Sequence, residues 1–544
     1  MSEGGSGQVA RRLRETAREA FGWDDLRPGQ PEAMRHLMDG GDTLVVMPTG
    51  AGKSAVYQIP ALLIDGPTVV VSPLIALQRD QVAGLREADA GGAVAVNSAQ
   101  SDGEASFEAI RKGTAEFLFL SPEQLAKHET IERLRAARPS LIAIDEAHCV
   151  SAWGHDFRPD YLGLGRVIEA LGHPPVAALT ATATPSVQEE IVQTLGLRDV
   201  HRIVRGFDRP NIDLEVRRFV TAEDLRRALV EDAASREGVG LVYVATRRAT
   251  EEYAAELRER GRRVEPYHAG MKAAERQRVH ELFRDGEVDV VVATSAFGMG
   301  IDKPDVRYVL HAAPPESPDS YYQEIGRAGR DGGPASAVLF YRPEDLGLRR
   351  FFAGGRADEE LLLRTATLLG EHGGAVPAGE LRAVLDVGPT RLTRVVNLLE
   401  KVGAVEITTE GDVRVVPGGP EPKEATARAV EIDDTRRRID ESRIDMMRGY
   451  AETTGCRRRF LLEYFGEPYE RACGACDTCR EGAPAGSEPS DSFAMHAKVR
   501  HSSWGDGMVM SRESDRITVL FDEVGYKTLL LEAVEREGLL TAAR

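Results

Sequence analysis

The clearest chemical signal in this chain is Thr49-Gly50-Ala51-Gly52-Lys53-Ser54, which follows the apolar run Thr43-Leu44-Val45-Val46-Met47 and precedes a helix-like segment. Glycines there let backbone N–H groups wrap phosphates, Lys53 supplies charge to the outer phosphates, and Ser54 can hold magnesium at the helix N-terminus. The common phosphate-loop pattern has glycine where Met47 stands, so only a threonine-glycine form of the loop survives. After another apolar run, Leu141 to Ile144, comes Asp145-Glu146-Ala147-His148. Two carboxylates at the carboxyl end of a strand sit where open α/β sheets bind ligands. Asp145 suits a magnesium shell, and Glu146 can orient and deprotonate an attacking water. Either signal alone also fits a tight glycine turn or an acidic strand end. Together they point to nucleotide hydrolysis.

A second chemistry gathers near the C-terminus. Four of the five cysteines, Cys456, Cys473, Cys476 and Cys479, fall in one short stretch. Sixteen residues separate the first two and two separate each later pair, a spacing that permits a tetrahedral zinc site of four thiolates. A secreted disulfide scaffold would spread and multiply its cysteines, so the cluster reads as metal chemistry in a reducing compartment. Cys149 stands outside it and reads as a buried thiol.

These groups need scaffolding, and 544 residues, 42% of them hydrophobic, supply several cores. The 69 basic against 87 acidic residues leave a formal charge of −18. Phosphate repels a uniformly acidic surface, which excludes a general polyanion binder and confines any nucleic-acid track to a local basic groove. No run approaches the ~18 apolar residues of a membrane span. The start, Met1-Ser2-Glu3-Gly4-Gly5-Ser6, lacks the basic end and apolar stretch of a signal peptide, so a cytoplasmic protein without membrane contact is expected. Short β-branched runs alternate with helical patterns from about Arg27 to Tyr341, as in parallel sheets covered by helices. Thr43–Met47, Thr68–Val71, Leu141–Ile144 and Val176–Leu179 build a first sheet; Leu241–Val244, Val288–Val292 and Ser336–Phe340 build a second beyond the connector Arg205–Pro210.

On these motifs the region from Phe21 to Tyr341 resembles the core of RecQ-family superfamily 2 DNA helicases. The resemblance implies that Gln30 in Leu26-Arg27-Pro28-Gly29-Gln30 reads adenine, with Arg27 beside it; an amide offers both a donor and an acceptor to the base. Ser151 to Tyr161 resembles the aromatic loop coupling DNA contact to hydrolysis, in which Trp153 and Phe157 stack on unpaired bases while His155 and Arg158 relay to the phosphates. Otherwise these aromatics are core. Thr180-Ala181-Thr182 resembles the element linking nucleotide state to lobe movement. In the second lobe, Phe297 to Asp302 resembles the segment touching DNA backbone and ribose, Asp302 among the nucleotide contacts. Gln323 to Gly332 resembles the helix that carries arginine fingers, Arg330 first and Arg327 alongside; a solvated basic helix face is the alternative. Thr246, Arg247 and His268 sit in strand-end segments similar to those that touch the tracked strand's phosphates.

The expected class is therefore α/β with tandem RecA-like lobes at 11–206 and 207–350 after a disordered 1–10. A winged-helix-like domain follows at 357–417, with Arg391 and Arg394 on its recognition helix, used for DNA, for protein contact or merely for spacing. A helical zinc module at 425–481 resembles that of RecQ proteins, although there it usually follows the motor directly. Its Arg457-Arg458-Arg459 would meet duplex phosphate unless the module is only a staple. A linker at 482–494 leads to a small β-barrel at 495–544, similar to the Tudor-like tail of UvrD-type helicases and so expected to dock a protein partner. The resemblance implies an ATP-, magnesium- and zinc-dependent DNA helicase stepping three-prime to five-prime on single strands and opening tailed or branched duplexes in repair or recombination. An RNA-acting motor and an ATP-gated clamp or annealing protein are the alternatives.

Overall fold

The computed structural model describes residues 3–48, 50–73, 75–96, 103–125, 127–151, 161, 163–298, 303–353, 355–408, 412–469, 471–482, 493–512 and 515–543. The first lobe is a seven-stranded parallel sheet of β1 (Thr43–Val46), β2 (Thr68–Val71), β3 (Ala93–Val96), β4 (Phe117–Leu120), β5 (Leu141–Ile144), β6 (Val176–Thr180) and β7 (His201–Val204). They run in the order β3-β4-β2-β5-β6-β1-β7. Strands β1, β2, β4, β5 and β6 are buried along their whole length, because helices cover both faces and a continuous apolar run is the sequence that fits. The edge strand β7 is half exposed and correspondingly polar.

The second lobe repeats the plan with six parallel strands, β8 (Ile212–Arg218), β9 (Val239–Tyr243), β10 (Val264–Tyr267), β11 (Val290–Ala293), β12 (Val306–His311) and β13 (Ala335–Tyr341), in the order β10-β11-β9-β12-β13-β8. Strand β1 runs into the phosphate loop and β5 into the acidic pair, so both motifs leave the carboxyl edge of one sheet. In the second sheet β9, β11 and β12 end at Tyr243, Ala293 and His311.

The expectation of disorder over 1–10 does not hold for the described residues there. A helix spans Glu3–Phe21, and its Leu13 and Ala17 are buried against Met34, Ala55 and Ile59. An apolar stripe at that spacing outweighs the helix penalty of the glycines near the start.

Behind the lobes, helices Glu359–His372, Ala378–Leu385 and Pro389–Lys401 pack with a two-stranded wing, β14 (Val405–Ile407) and β15 (Val413–Val415). This unit shares its core with the 31-residue helix Pro422–Glu452 through Ala425 and Ala429. The same helix continues toward the zinc segment and lays Met446 and Met447 into the lobe cores.

The tail is a five-stranded antiparallel sheet of β16 (Lys498–His501), β17 (Gly505–Arg512), β18 (Arg516–Phe521), β19 (Gly525–Leu530) and β20 (Leu540–Ala542), ordered β19-β18-β17-β16-β20. Period-two alternation sorts its residues: Ile517, Val519 and Phe521 point into the tail's own core, while Leu520, with Met510 and Tyr526, packs on the first lobe and zinc segment. Tyr526 stacks on Tyr464, ring centroids 5.0 Å apart, and its backbone N–H donates to Ser442 Oγ at 3.0 Å. The tail is therefore seated on the body and has only its other surfaces available to a partner. Among the described residues, no helix is long and apolar enough to cross a membrane.

Candidate active site between the lobes

Lys53 leaves the phosphate loop just before the helix Ala55–Ala61, and its ammonium donates to the carbonyls of Met47 at 3.1 Å and Pro48 at 3.4 Å. Burial pushes it below the ordinary lysine range, Glu146 and Asp145 pull it back up, and Arg330 adds a further lowering. Two carboxylates from the same sheet edge and one arginine from the other lobe thus act electrostatically on the same ammonium. Gln30 Nε2 donates to Gly52 O at 2.8 Å and Ala51 O at 3.2 Å, while Arg27 N–H donates to Gln30 Oε1 at 2.8 Å. The Arg27 guanidinium donates to Gly50 O. The two residues expected to meet the base thus also brace the loop expected to meet the phosphates. Thr49 lies outside the described residues. Trp23, four positions before Arg27 and given no role in the sequence, is an exposed indole stacked on Phe21 with ring centroids 4.5 Å apart.

Asp145 is buried, and desolvation first, then the Glu146 charge, raise its carboxyl to about 6, with Lys53 opposing. Glu146 sits at φ 49°, a left-handed turn that brings its backbone N–H to Asp145 Oδ1 at 3.0 Å. Its side chain reaches His148 Nδ1 at 3.3 Å, and the same ring nitrogen lies 2.9 Å from Thr180 Oγ1. Thr180 in turn donates to Thr182 O at 3.1 Å. A close polar contact from Glu146 to His148 and hydrogen bonds onward from His148 thus join the acidic pair to the Thr180-Ala181-Thr182 segment, all within a buried neighbourhood. Cys149 is buried.

Arg330 approaches from the second lobe. A Cβ placed on Gly50 would lie 3.4 Å from Arg330 Cγ, so the arginine's stem rests against the phosphate loop. The expectation that Arg327 and Arg330 ride on a helix needs correction: the helix Pro318–Ile325 ends at Gly326, and both arginines follow in a turn. The turn is fixed from outside. Arg209 donates to Gly326 O at 3.0 Å, Ala328 O at 2.7 Å and Gly329 O at 3.1 Å, and Asn211 donates to Gly329 O at 2.8 Å and Gly333 O at 2.9 Å. Gly329 has φ 57°, and a Cβ there would stand 2.4 Å from Asn211 Nδ2, so only glycine fits. Arg327 is 3% exposed, which removes the solvated-face alternative. Arg209, expected only as part of the connector, and Asn211, given no role in the sequence, thus hold the arginine turn in place.

The expected nucleic-acid contacts are only partly described. Trp153, His155, Phe157, Arg158 and Asp302 lie outside the described residues. Arg247 and His268 come together at Gly270, where a Cβ would meet Arg247 Nη1 at 3.0 Å and His268 Nδ1 at 3.2 Å. Thr246 instead caps the helix Arg247–Glu259, accepting from Ala249 N–H at 3.2 Å.

The four sulfurs of Cys456, Cys473, Cys476 and Cys479 lie within 4.8 Å of one another. Zinc–sulfur bonds of about 2.3 Å in a tetrahedron require sulfurs about 3.8 Å apart, so the donor set fits zinc. The arginines beside it are not a phosphate-facing row. Arg457 pairs with Asp477 at 2.5 Å and donates to Tyr450 O at 2.7 Å; Arg458 pairs with Asp208 at 2.9 Å and donates to Ile212 O at 2.7 Å; Arg459 donates to Tyr469 O at 2.8 Å. Burial of Arg457 and Arg458 demands such partners, and those of Arg458 moor the zinc segment to the connector and to β8. Arg391 is paired with Asp358 and Arg394 with Asp433, the two arginine side chains remaining 61% and 48% exposed.

Comparison with known proteins agrees with this geometry. Residues 27–191 match the DEAD/DEAH box helicase family, 221–332 the helicase conserved C-terminal domain and 423–480 the RecQ zinc-binding family. The chain is 34% identical to the probable ATP-dependent DNA helicase RecS of Bacillus subtilis over 86% of its own length and 91% of that protein. It is 36% identical to the ATP-dependent DNA helicase RecQ of Haemophilus influenzae over 85% of its length, spanning 62% of that longer relative. Among solved structures, the Mycobacterium smegmatis helicase Lhr bound to single-stranded DNA and AMP-PNP superposes with a TM-score of 0.51 at 21% identity, over 78% of this chain and 61% of that one; it shares the fold.

Two outcomes are expected. Without nucleotide or added magnesium, the raised carboxyl of Asp145 costs nothing below its unfolded value near 4 and costs most above about 6. Asp145→Asn is therefore expected to stabilise the chain at pH 8 by on the order of 2 kcal/mol and by less at pH 5, read by thermal melting; an equal gain at both pH values contradicts the burial argument. Metal analysis of the full chain is expected to return one zinc, with Cys476→Ser losing most of it. Full zinc in that variant would remove the site.

Proposed function

Because the chain belongs to the RecQ family of helicases, we propose that it is an ATP-driven DNA helicase that steps three-prime to five-prime along one strand and opens tailed or branched duplexes, acting in repair or recombination in the cytoplasm at the nucleoid. The observation that carries this reading is the approach of Arg330 to Gly50 across the cleft. A guanidinium there stabilises charge on the transferred phosphoryl only while the lobes are shut, so hydrolysis reports on closure.

In this reading Arg27 and Gln30 hold the base, with Trp23 exposed nearby for stacking. Lys53 and the loop's N–H groups hold the phosphates. Glu146 takes the proton of the attacking water, and the His148–Thr180 contacts pass the change in its surroundings to the Thr180-Ala181-Thr182 segment. Ser54 and Asp145 would hold magnesium, which neutralises phosphate charge when bound. Arg247 and His268 meet strand phosphates, and the aromatic-rich segment from Ser151 to Tyr161 senses unpaired bases. The tail's outer surfaces serve a protein partner.

Magnesium-ATP hydrolysis measured with single-stranded DNA, single-stranded RNA and no nucleic acid, followed by strand displacement on duplexes tailed at either end, tests the reading. Turnover is expected to rise at least tenfold with DNA, and only the three-prime-tailed duplex to open. Lys53→Ala and Glu146→Gln are each expected to cut turnover by about a thousandfold. Equal stimulation by RNA would make the motor an RNA-acting one, and strand capture without turnover would make it a clamp.

A further inference from the structure

Between the second lobe's strand ends and the arginine turn lies a buried chain of side chains that the roles above leave unused. His311, the last residue of β12, is 1% exposed. Its ring stacks on Tyr243 at the end of β9, centroids 5.3 Å apart at 21°, and meets Tyr321 on its other side at 4.9 Å. Nε2 lies 2.8 Å from Glu324 Oε2, on the last turn of the helix whose exit carries Arg327. Tyr243 completes the link: its hydroxyl donates to Phe297 O at 2.8 Å, and Gly298 lies so near the arginine that a Cβ there would stand 3.5 Å from Arg327 Nη2. The segment leading to Asp302 is thus joined to the arginine turn twice, once by the Tyr243–His311–Glu324 chain and once by direct approach.

Two features separate this chain from ordinary core. Glu324 is a carboxylate only 6% exposed, and a buried carboxylate is retained only where a partner holds it. His311 supplies that partner. With Nε2–H donating to Glu324, Nδ1 becomes an acceptor, and it has no hydrogen-bond partner among the described residues. The ring borders a polar cavity of about 30 Å³ that Thr294, Ser295 and Arg349 also line. A donor brought there by movement of the 294–298 segment would satisfy Nδ1 and pull the imidazole with its attached Glu324.

We infer that His311 is a positioning residue that passes the state of the 294–298 segment to the arginine turn through Glu324. The inference rests on the helicase reading, in which the segment from Phe297 to Asp302, entered through 294–298, meets the nucleic-acid backbone. His311 touches neither nucleotide nor nucleic acid. It sets where Arg327 and Arg330 stand when the segment is engaged, so its loss uncouples stimulation from basal hydrolysis.

The test uses the full chain and measures kcat and KM for ATP with and without a single-stranded oligonucleotide, alongside the affinity for a fluorescent nucleotide. His311→Phe keeps both ring stacks and removes the bond to Glu324; His311→Gln restores a donor. His311→Phe is expected to keep nucleotide affinity and unstimulated turnover within about twofold and to lose roughly tenfold in stimulated kcat with KM unchanged, and His311→Gln to recover part of that loss. Should His311→Phe melt far below the parent, Tyr243→Phe, which removes a single hydroxyl, is read on the same scale with the same expected loss. Stimulated kcat within twofold of the parent in the folded variant, or an equal fall with and without DNA, overturns the inference. A parent chain that shows no DNA-stimulated turnover sinks the helicase reading itself, so the two failures are distinguishable.

Discussion

One contact organises the molecule: an arginine of the second lobe lying against the phosphate loop of the first. A guanidinium beside a buried lysine is repulsive unless something anionic stands between or near them, and here Asp145 and Glu146 supply part of that charge. The triphosphate would supply the rest. Holding two like charges in one pocket stores a demand for an anion, and burial strengthens the demand because the local dielectric is low.

Such a contact needs lobes held in register, and the connector does that with help from the zinc segment. Phe207 stacks on Phe465 at 4.7 Å with its ring nearly parallel, Tyr322 donates to Phe207 O at 2.6 Å, and Glu467 accepts from Phe207 N–H at 2.9 Å. Arg458 pins Asp208 and Arg209 pins the arginine turn. A few residues of connector therefore touch both the zinc segment and the arginine turn. The zinc ligands serve this joint: Cys476 pairs with Leu214 of the edge strand β8, and Val216 N–H donates to Asp477 at 2.9 Å. On this geometry the zinc segment is part of the hinge. Its Arg457 and Arg458 are buried in pairs within the fold, whereas Arg391 and Arg394 of the winged unit keep 61% and 48% of their side chains exposed beside Asp358 and Asp433.

Much of this was legible in the residues. Strands buried on both faces announced themselves as unbroken apolar runs, and the loop around Lys53 and the pair Asp145-Glu146 had to stand at their ends. Edge strands were harder: β10 contains Glu265 and Pro266, which an edge tolerates but which look like loop. The four-cysteine cluster was plain because thiolate spacing is local. What the sequence hid were interactions between distant segments. Three arginines in a row look like a phosphate track until Asp208 and Asp477 are brought to them by the fold. Arg327 and Arg330 at helical spacing suggest a helix until Gly326 and Gly329 turn the chain. The N-terminal helix was concealed by its glycines, and the seat of the tail on Ser442 and Tyr464 has no sequence signature at all.

The central claim is that Arg330 reads the terminal phosphate across a closed cleft. It is tested most directly by comparing affinities for ADP and a non-hydrolysable ATP analogue in the parent and in Arg330→Ala. The account predicts that the parent prefers the triphosphate by tenfold or more and that Arg330→Ala loses this preference while keeping its affinity for ADP. An Arg330→Ala chain with an undiminished preference for the triphosphate would contradict it.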